Sequence, residues 1–109
     1  MPTRPPTRTD MADTDELAAR AGEAARLMKL LASESRLRIL CELAQGEACV
    51  TALSNAVGLG QSALSQHLAK MRAEGLVTFR REGQTLHYRI DNPAAERILM
   101  LLKDVFCGV

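Results

Sequence analysis

The 109-residue sequence predicts a mainly helical fold that carries one small β-hairpin, and three observations support this. Apolar residues recur at spacings of three and four in several stretches, as amphipathic helices require. Two strand-like runs, residues 76–82 and 85–90, are parted only by Gly83-Gln84, and Gly83 supplies the turn. The second run alternates, with Leu86, Tyr88 and Ile90 on one side and Thr85, His87 and Arg89 on the other. Glycines also fall where helices must stop, at positions 46, 58 and 75. A chain of this length makes one domain, small enough for oligomerisation to add useful burial.

Taken in order, residues 1–12 hold three of the four prolines and show no packing face, so they read as a disordered N-terminal tail. The folded domain spans 13–109. Asp13-Thr-Asp-Glu16 offers an N-cap with a glutamate three residues on. A first helix then runs to about Leu31, with Leu17, Ala21, Ala24, Ala25, Met28 and Leu31 on one side. Ser33 caps a second helix that holds Leu37, Ile39, Leu40, Cys41 and Leu43 and ends near Gly46. Thr51 caps a third, short helix that ends at Val57. Beyond the hairpin, Asn92-Pro93 pairs a cap with a proline at the first helical position and opens a last helix to about Cys107. Its Ile98-Leu-Met-Leu-Leu102 segment is apolar around more than one face, which exceeds the needs of a monomer. The expectation is a homodimer through the first and last helices.

Residues 58–75 carry the functional signal. Leu64, Leu68 and Met71 form one apolar stripe, while Gln61, Ser62, Ser65, Gln66, His67 and Lys70 stand on other faces. Hydroxyls and amides of this kind reach base edges in a major groove, with few bulky or acidic groups in the way. An ordinary surface helix with glycine caps fits the same spacing. The hairpin that follows decides against it: a basic hairpin directly after such a helix is the wing of a winged helix-turn-helix. Arg80 and Arg81 sit near its tip, within reach of phosphates or the minor groove. The formal net charge is only +1, yet residues 61–90 hold Lys70, Arg72, Arg80, Arg81 and Arg89 against Glu74 and Glu82, a local net of +3. The partner this implies is double-stranded operator DNA, with two such patches side by side in a dimer. His87 reads as a surface or phosphate contact. Arg36 and Arg38 fit either phosphate contacts or a solvated helix face.

The helix order and motifs resemble the arsenic-repressor (ArsR/SmtB) family of bacterial winged-helix repressors. The resemblance covers roughly residues 28–107. It is carried by Leu31-Ala-Ser-Glu-Ser-Arg-Leu-Arg-Ile-Leu40, Gly60-Gln-Ser-Ala-Leu-Ser-Gln-His-Leu68, Glu74-Gly-Leu-Val77 and the hairpin ending His87-Tyr-Arg89. It implies a transcriptional repressor released from its operator by an inducer, and leaves the inducer open. Two metal sites common in the family match poorly. Cys49 stands where a Cys-Val-Cys pattern begins, but Thr51 replaces the second thiolate. The last helix begins Asp91-Asn-Pro93 and contains no histidine, so its zinc-type site is absent. No metal site is expected.

The placement of Cys41 on the second helix and Cys107 at the end of the last resembles the persulfide-sensing branch of the family. That resemblance implies a dithiol that reacts with sulfane sulfur, closes a sulfur bridge and weakens DNA binding. A disulfide needs Cα atoms within about 7 Å, whereas an inserted sulfur chain tolerates looser geometry. Cysteines inside apolar runs also pack simply as small hydrophobes. The alternative is an arsenite or other soft-metal repressor using Cys41, Cys49 and Cys107. An enzyme is not expected, because no His or Arg adjoins any cysteine in sequence and a thiol enzyme would leave the recognition helix and wing idle. Nor is a cofactor. Three cysteines, an odd number, argue against a disulfide framework. With no signal peptide and no run of about 18 apolar residues, the chain is expected in the cytoplasm, away from membranes.

Overall fold

The first helix expected from the sequence is two helices. The computed structural model describes residues 14–108, so the proline-rich tail and the Asp13 cap lie outside the described residues. Contacts divide the chain into two units, one ending at Leu30 and the other starting at Leu31. In the first, α1 (Thr14–Ala19) stops at Arg20 and α2 (Ala21–Leu31) follows. The Arg20 amide is shared between the carbonyls of Glu16 (3.2 Å) and Leu17 (3.0 Å), a tightened last turn. Its guanidinium instead reaches forward to Glu23, at 2.6 Å, across the first turn of α2. The predicted apolar side holds only in part: Leu31 is buried and Ala24 half-covered, but Leu17, Ala21, Ala25 and Met28 are exposed, while Leu27 is half-covered and Leu30 buried.

The second unit holds the rest. Ser33 caps α3 (Glu34–Leu43), its hydroxyl accepting from the Arg36 amide at 3.2 Å. The short strand β1 (Ala48–Cys49) leads into α4 (Val50–Val57), and α5 (Gln61–Ala73) follows. Strands β2 (Val77–Glu82) and β3 (Thr85–Ile90) form the hairpin, and α6 (Pro93–Cys107) completes the unit. The cap of α4 is Cys49, not Thr51, because β1 carries the chain straight into the helix two residues earlier than expected. β1 itself was not foreseen: it is two residues long and pairs with β3, giving an antiparallel sheet in the order β1-β3-β2.

Leu64, Leu68 and Met71 are fully buried, as their spacing predicts, together with Ile39, Leu40, Leu53 and Leu76. Burial of each such side chain contributes about 1.5–3 kcal/mol, so the face of α5 that is not apolar is held outward by the core beneath it. Two closures fix the ends of α5. On entry, Gly58 takes φ +72° and the Ser54 hydroxyl donates to the Leu59 carbonyl, which shapes the turn from α4. On exit, Gly75 takes φ +78°, its amide bonds Arg72 and the Leu76 amide bonds Met71 at 2.8 Å, a Schellman closure. The Leu76 carbonyl then accepts from the Asp91 amide, also at 2.8 Å. Asn92 follows at once as the cap of α6, its side chain accepting from the Ala95 amide at 3.1 Å, with Pro93 in the first turn.

Candidate DNA-binding surface and cysteine positions

Gln61, Ser62, Ser65, Gln66 and Lys70 are all exposed on α5, and His67 is half-buried between the outer face and the core stripe. Four of the exposed residues belong to the first two turns, the part of a recognition helix that meets base edges. Gly60 caps this helix without a side chain, so the first amides of α5 have no side-chain acceptor. Such amides favour an anion, and a DNA phosphate suits them. Helix α4, the glycine-bounded turn and α5 thus form a helix-turn-helix with its polar row outward.

The hairpin turns through Gly83 at φ +64°, with Glu82 opposite Thr85. Pairing of Phe79 with Tyr88 and Val77 with Ile90 sets one face of the wing against the core, and Arg72 of α5 lies 4.3 Å over the Phe79 ring. Arg81 extends from this face near the tip and is exposed. Arg80 is placed differently. Its Nε meets both Glu47 oxygens at 2.9 and 3.2 Å, and its Nη1 meets Glu82 at 2.7 Å. The Glu82 and Glu47 carboxylates raise the Arg80 pKa above its usual value. Glu82 is held below the ordinary glutamate range, chiefly by the hydrogen bond from Arg80 and secondarily by the charges of Arg80 and His87. Nothing in the sequence separates Arg80 from Arg81. Glu47 lies 33 residues from Arg80, and only the fold brings them together.

All three cysteines are free thiols. Cys41 is exposed although it sits within the apolar run of α3, so packing as a core hydrophobe does not describe it. Its helical neighbours Ile39, Leu40 and Leu43 fill the core, and the thiol stands on the opposite side. It lines a groove with Arg38 and Glu42 of α3 and with Ala56 and Val57 of α4, and no residue of α6 belongs to that lining. Cys107, the last residue of α6, is exposed. Helix α6 meets the end of α3 nearer its own start, where Glu96, Leu99 and Met100 share a cavity with Leu43 and Ala44. Cys49 is half-buried, opposite His87 in the sheet. Among the described residues no three His, Cys, Asp or Glu side chains stand close enough to hold a metal ion.

Residues 33–78 match the model of the bacterial regulatory protein arsR family, a span that runs from the α3 cap to the first two residues of the wing's first strand. The transcriptional activator HlyU of Vibrio cholerae is 41% identical over 92 residues, 84% of this chain and 85% of that protein. The chain belongs to the arsR family. The solved structure of reduced HlyU aligns over 85% of this chain and 98% of that one, with a TM-score of 0.79. The transcriptional repressor BigR from Xylella fastidiosa, 35% identical, aligns over 87% of this chain and 97% of that one with a TM-score of 0.82. Mb0332 from Mycobacterium bovis, solved as a homodimeric winged helix-turn-helix DNA-binding domain, is 40% identical and aligns over 84% of each chain with a TM-score of 0.72. This arsR-family chain is therefore a winged helix-turn-helix transcriptional regulator and not an enzyme. No helix among the described residues is long and apolar enough to cross a membrane.

Proposed function

We propose that this arsR-family protein is a homodimeric, cytoplasmic repressor that senses persulfides through Cys41 and Cys107. The observation that carries the reading is the exposure of Cys41 on α3, whose opposite side is the core supporting α4 and α5. Chemistry at this thiol proceeds in solvent yet acts on a helix packed against α4, the first helix of the helix-turn-helix. A thiolate attacks the terminal sulfur of a persulfide, the donor's S–S bond breaks, and the donor leaves as a thiolate. When both cysteines carry a sulfur, one persulfide anion attacks the inner sulfur of the other and expels hydrosulfide. A three-sulfur bridge remains, and no further oxidant is consumed. Gln61, Ser62, Ser65, Gln66 and His67 contact bases, and Lys70, Arg80 and Arg81 contact the DNA backbone or minor groove. The homodimer is supported by the exposed apolar residues of α6 and by the Mycobacterium bovis relative.

The test is intact-protein and peptide mass spectrometry after sodium tetrasulfide, beside peroxide and arsenite, with DNA binding followed in parallel. Tetrasulfide is expected to link the Cys41 and Cys107 peptides through added sulfur and to lower DNA affinity. Cys41→Ser and Cys107→Ser are expected to bind DNA yet lose the response, whereas Cys49→Ser keeps most of it. A full response in Cys107→Ser would sink the dithiol mechanism, and a chelator-reversible response to arsenite alone would replace it with soft-metal sensing.

A further inference from the structure

The groove beside Cys41 has a volume of about 610 Å³, within the range of small-molecule sites. Its walls carry both signs of charge. Arg38 precedes Cys41 by less than one turn of α3, while Glu34 and Glu42 add carboxylates on the same side. Arg38 and Glu34 are only loosely paired, at 4.0 Å with both side chains largely exposed, so the guanidinium retains donors for a ligand. At the far end lies Val57, the last residue of α4 before the helix-turn-helix turn.

We propose that this groove docks the organic part of the sulfur donor, and that the donor is the persulfide of an amino-acid-type thiol bearing both an ammonium and a carboxylate. The inference rests on the persulfide reading of Cys41. A carboxylate meets the Arg38 fork, and an ammonium meets Glu34 or Glu42. A purely anionic donor faces two carboxylates for one guanidinium, and an uncharged donor leaves all three groups without a partner from the ligand. With the organic part so held, the Cys41 thiolate attacks the terminal sulfur, the donor S–S bond breaks, and the organic thiolate departs with the sulfane sulfur left on Cys41. No oxidant enters the step.

The experiment compares sulfur-transfer rates to Cys41 in the Cys49→Ser, Cys107→Ser background, by stopped reaction and mass spectrometry. The donors are cysteine persulfide, 2-hydroxyethyl persulfide and sodium tetrasulfide. The first two present the same sulfane sulfur on a zwitterionic and an uncharged organic group. Cysteine persulfide is expected to exceed the hydroxyethyl compound at Cys41 by about tenfold more than it does with a free thiol in solution, the scale of one charge-assisted hydrogen bond. Arg38→Met is expected to lower the ratio of the two rates about tenfold, down to the intrinsic ratio that the two leaving thiols set and that a free thiol in solution measures. Using a ratio removes any change in thiolate fraction, which scales both organic donors alike. A ratio in the parent no greater than that with a free thiol, or one that Arg38→Met leaves unchanged, with Cys41 still sulfurated by tetrasulfide, would reject the groove and leave persulfide sensing standing. No transfer to Cys41 from any of the three donors would reject both.

Discussion

Arg80 and Arg81 are neighbours in sequence, yet the structure gives them opposite electrostatic roles, and salt dependence of DNA binding separates them. Each phosphate neutralised by a protein cation releases counterions and adds about 0.9 to the slope of log affinity against log salt. Arg81 is exposed near the wing tip and forms no ion pair among the described residues. A dimer lacking both copies is therefore expected to lose about 1.8 from the slope. Between 0.05 and 0.2 M salt, roughly a fourfold change, the parent should lose about twelvefold more affinity than Arg81→Ala. Arg80 enters binding already matched to Glu47 and Glu82. If it turns to a phosphate, the freed carboxylates take up cations again, so Arg80→Ala should change the slope by much less. Fluorescence anisotropy on one duplex across that salt range measures both. Equal slopes for the parent and Arg81→Ala, or a larger loss in Arg80→Ala, would refute this division of labour.

Leu68 is fully buried beneath the recognition row, and Leu68→Ala is expected to cost about 2–5 kcal/mol. Calorimetry should show the melting temperature fall by at least about 8 °C, given roughly 4 °C or more per kcal/mol in a domain this size. Because the folded-state pKa of Glu82 is depressed, its pairing with Arg80 stabilises the fold above the unfolded glutamate pKa. That contribution is lost as pH falls through the lower folded value; NMR titration should find Glu82 titrating below an ordinary glutamate, and Arg80→Met should move it up. Phe106 is 80% exposed on α6, and Phe106→Glu is expected to yield a monomer in sedimentation and to weaken DNA binding without unfolding the winged unit.

The recognition helix and wing were legible because both rest on local rules. Leu64, Leu68 and Met71 declare a buried stripe, and Gly58, Gly75 and Asn92-Pro93 mark ends whose backbone conformations the structure realises. What escaped was short or non-local. β1 has two residues and too little sequence for any alternation, so the sequence points to Thr51 as the cap of α4 where the structure has Cys49. The break at Arg20, where the amide also bonds the Leu17 carbonyl in a tightened turn, lies within a stretch whose apolar spacing runs on through it. The pairing of Glu47 with Arg80 depends on β1 lying beside the hairpin, so the wing's cations looked alike. The exposure of Cys41 was hidden in the same way, since an apolar run names a helix but not which member faces outward.

The backbone of Leu76 joins three parts of the molecule at one peptide. Its amide ties it to the end of α5, its carbonyl to Asp91, and Asn92 opens α6 directly afterwards. Between the hairpin and α6 there are two residues, and between α5 and the hairpin only the glycine-closed turn. There is no slack in such a joint. The start of α6, the end of α5 and the base of the wing are thus tied at one backbone position, so the direction in which α6 leaves is set by the same peptide that closes the recognition helix. A displacement at the far end of α6, where Cys107 ends 15 residues of helix, therefore arrives at this joint as a rotation of the helix and not as a shift of equal size.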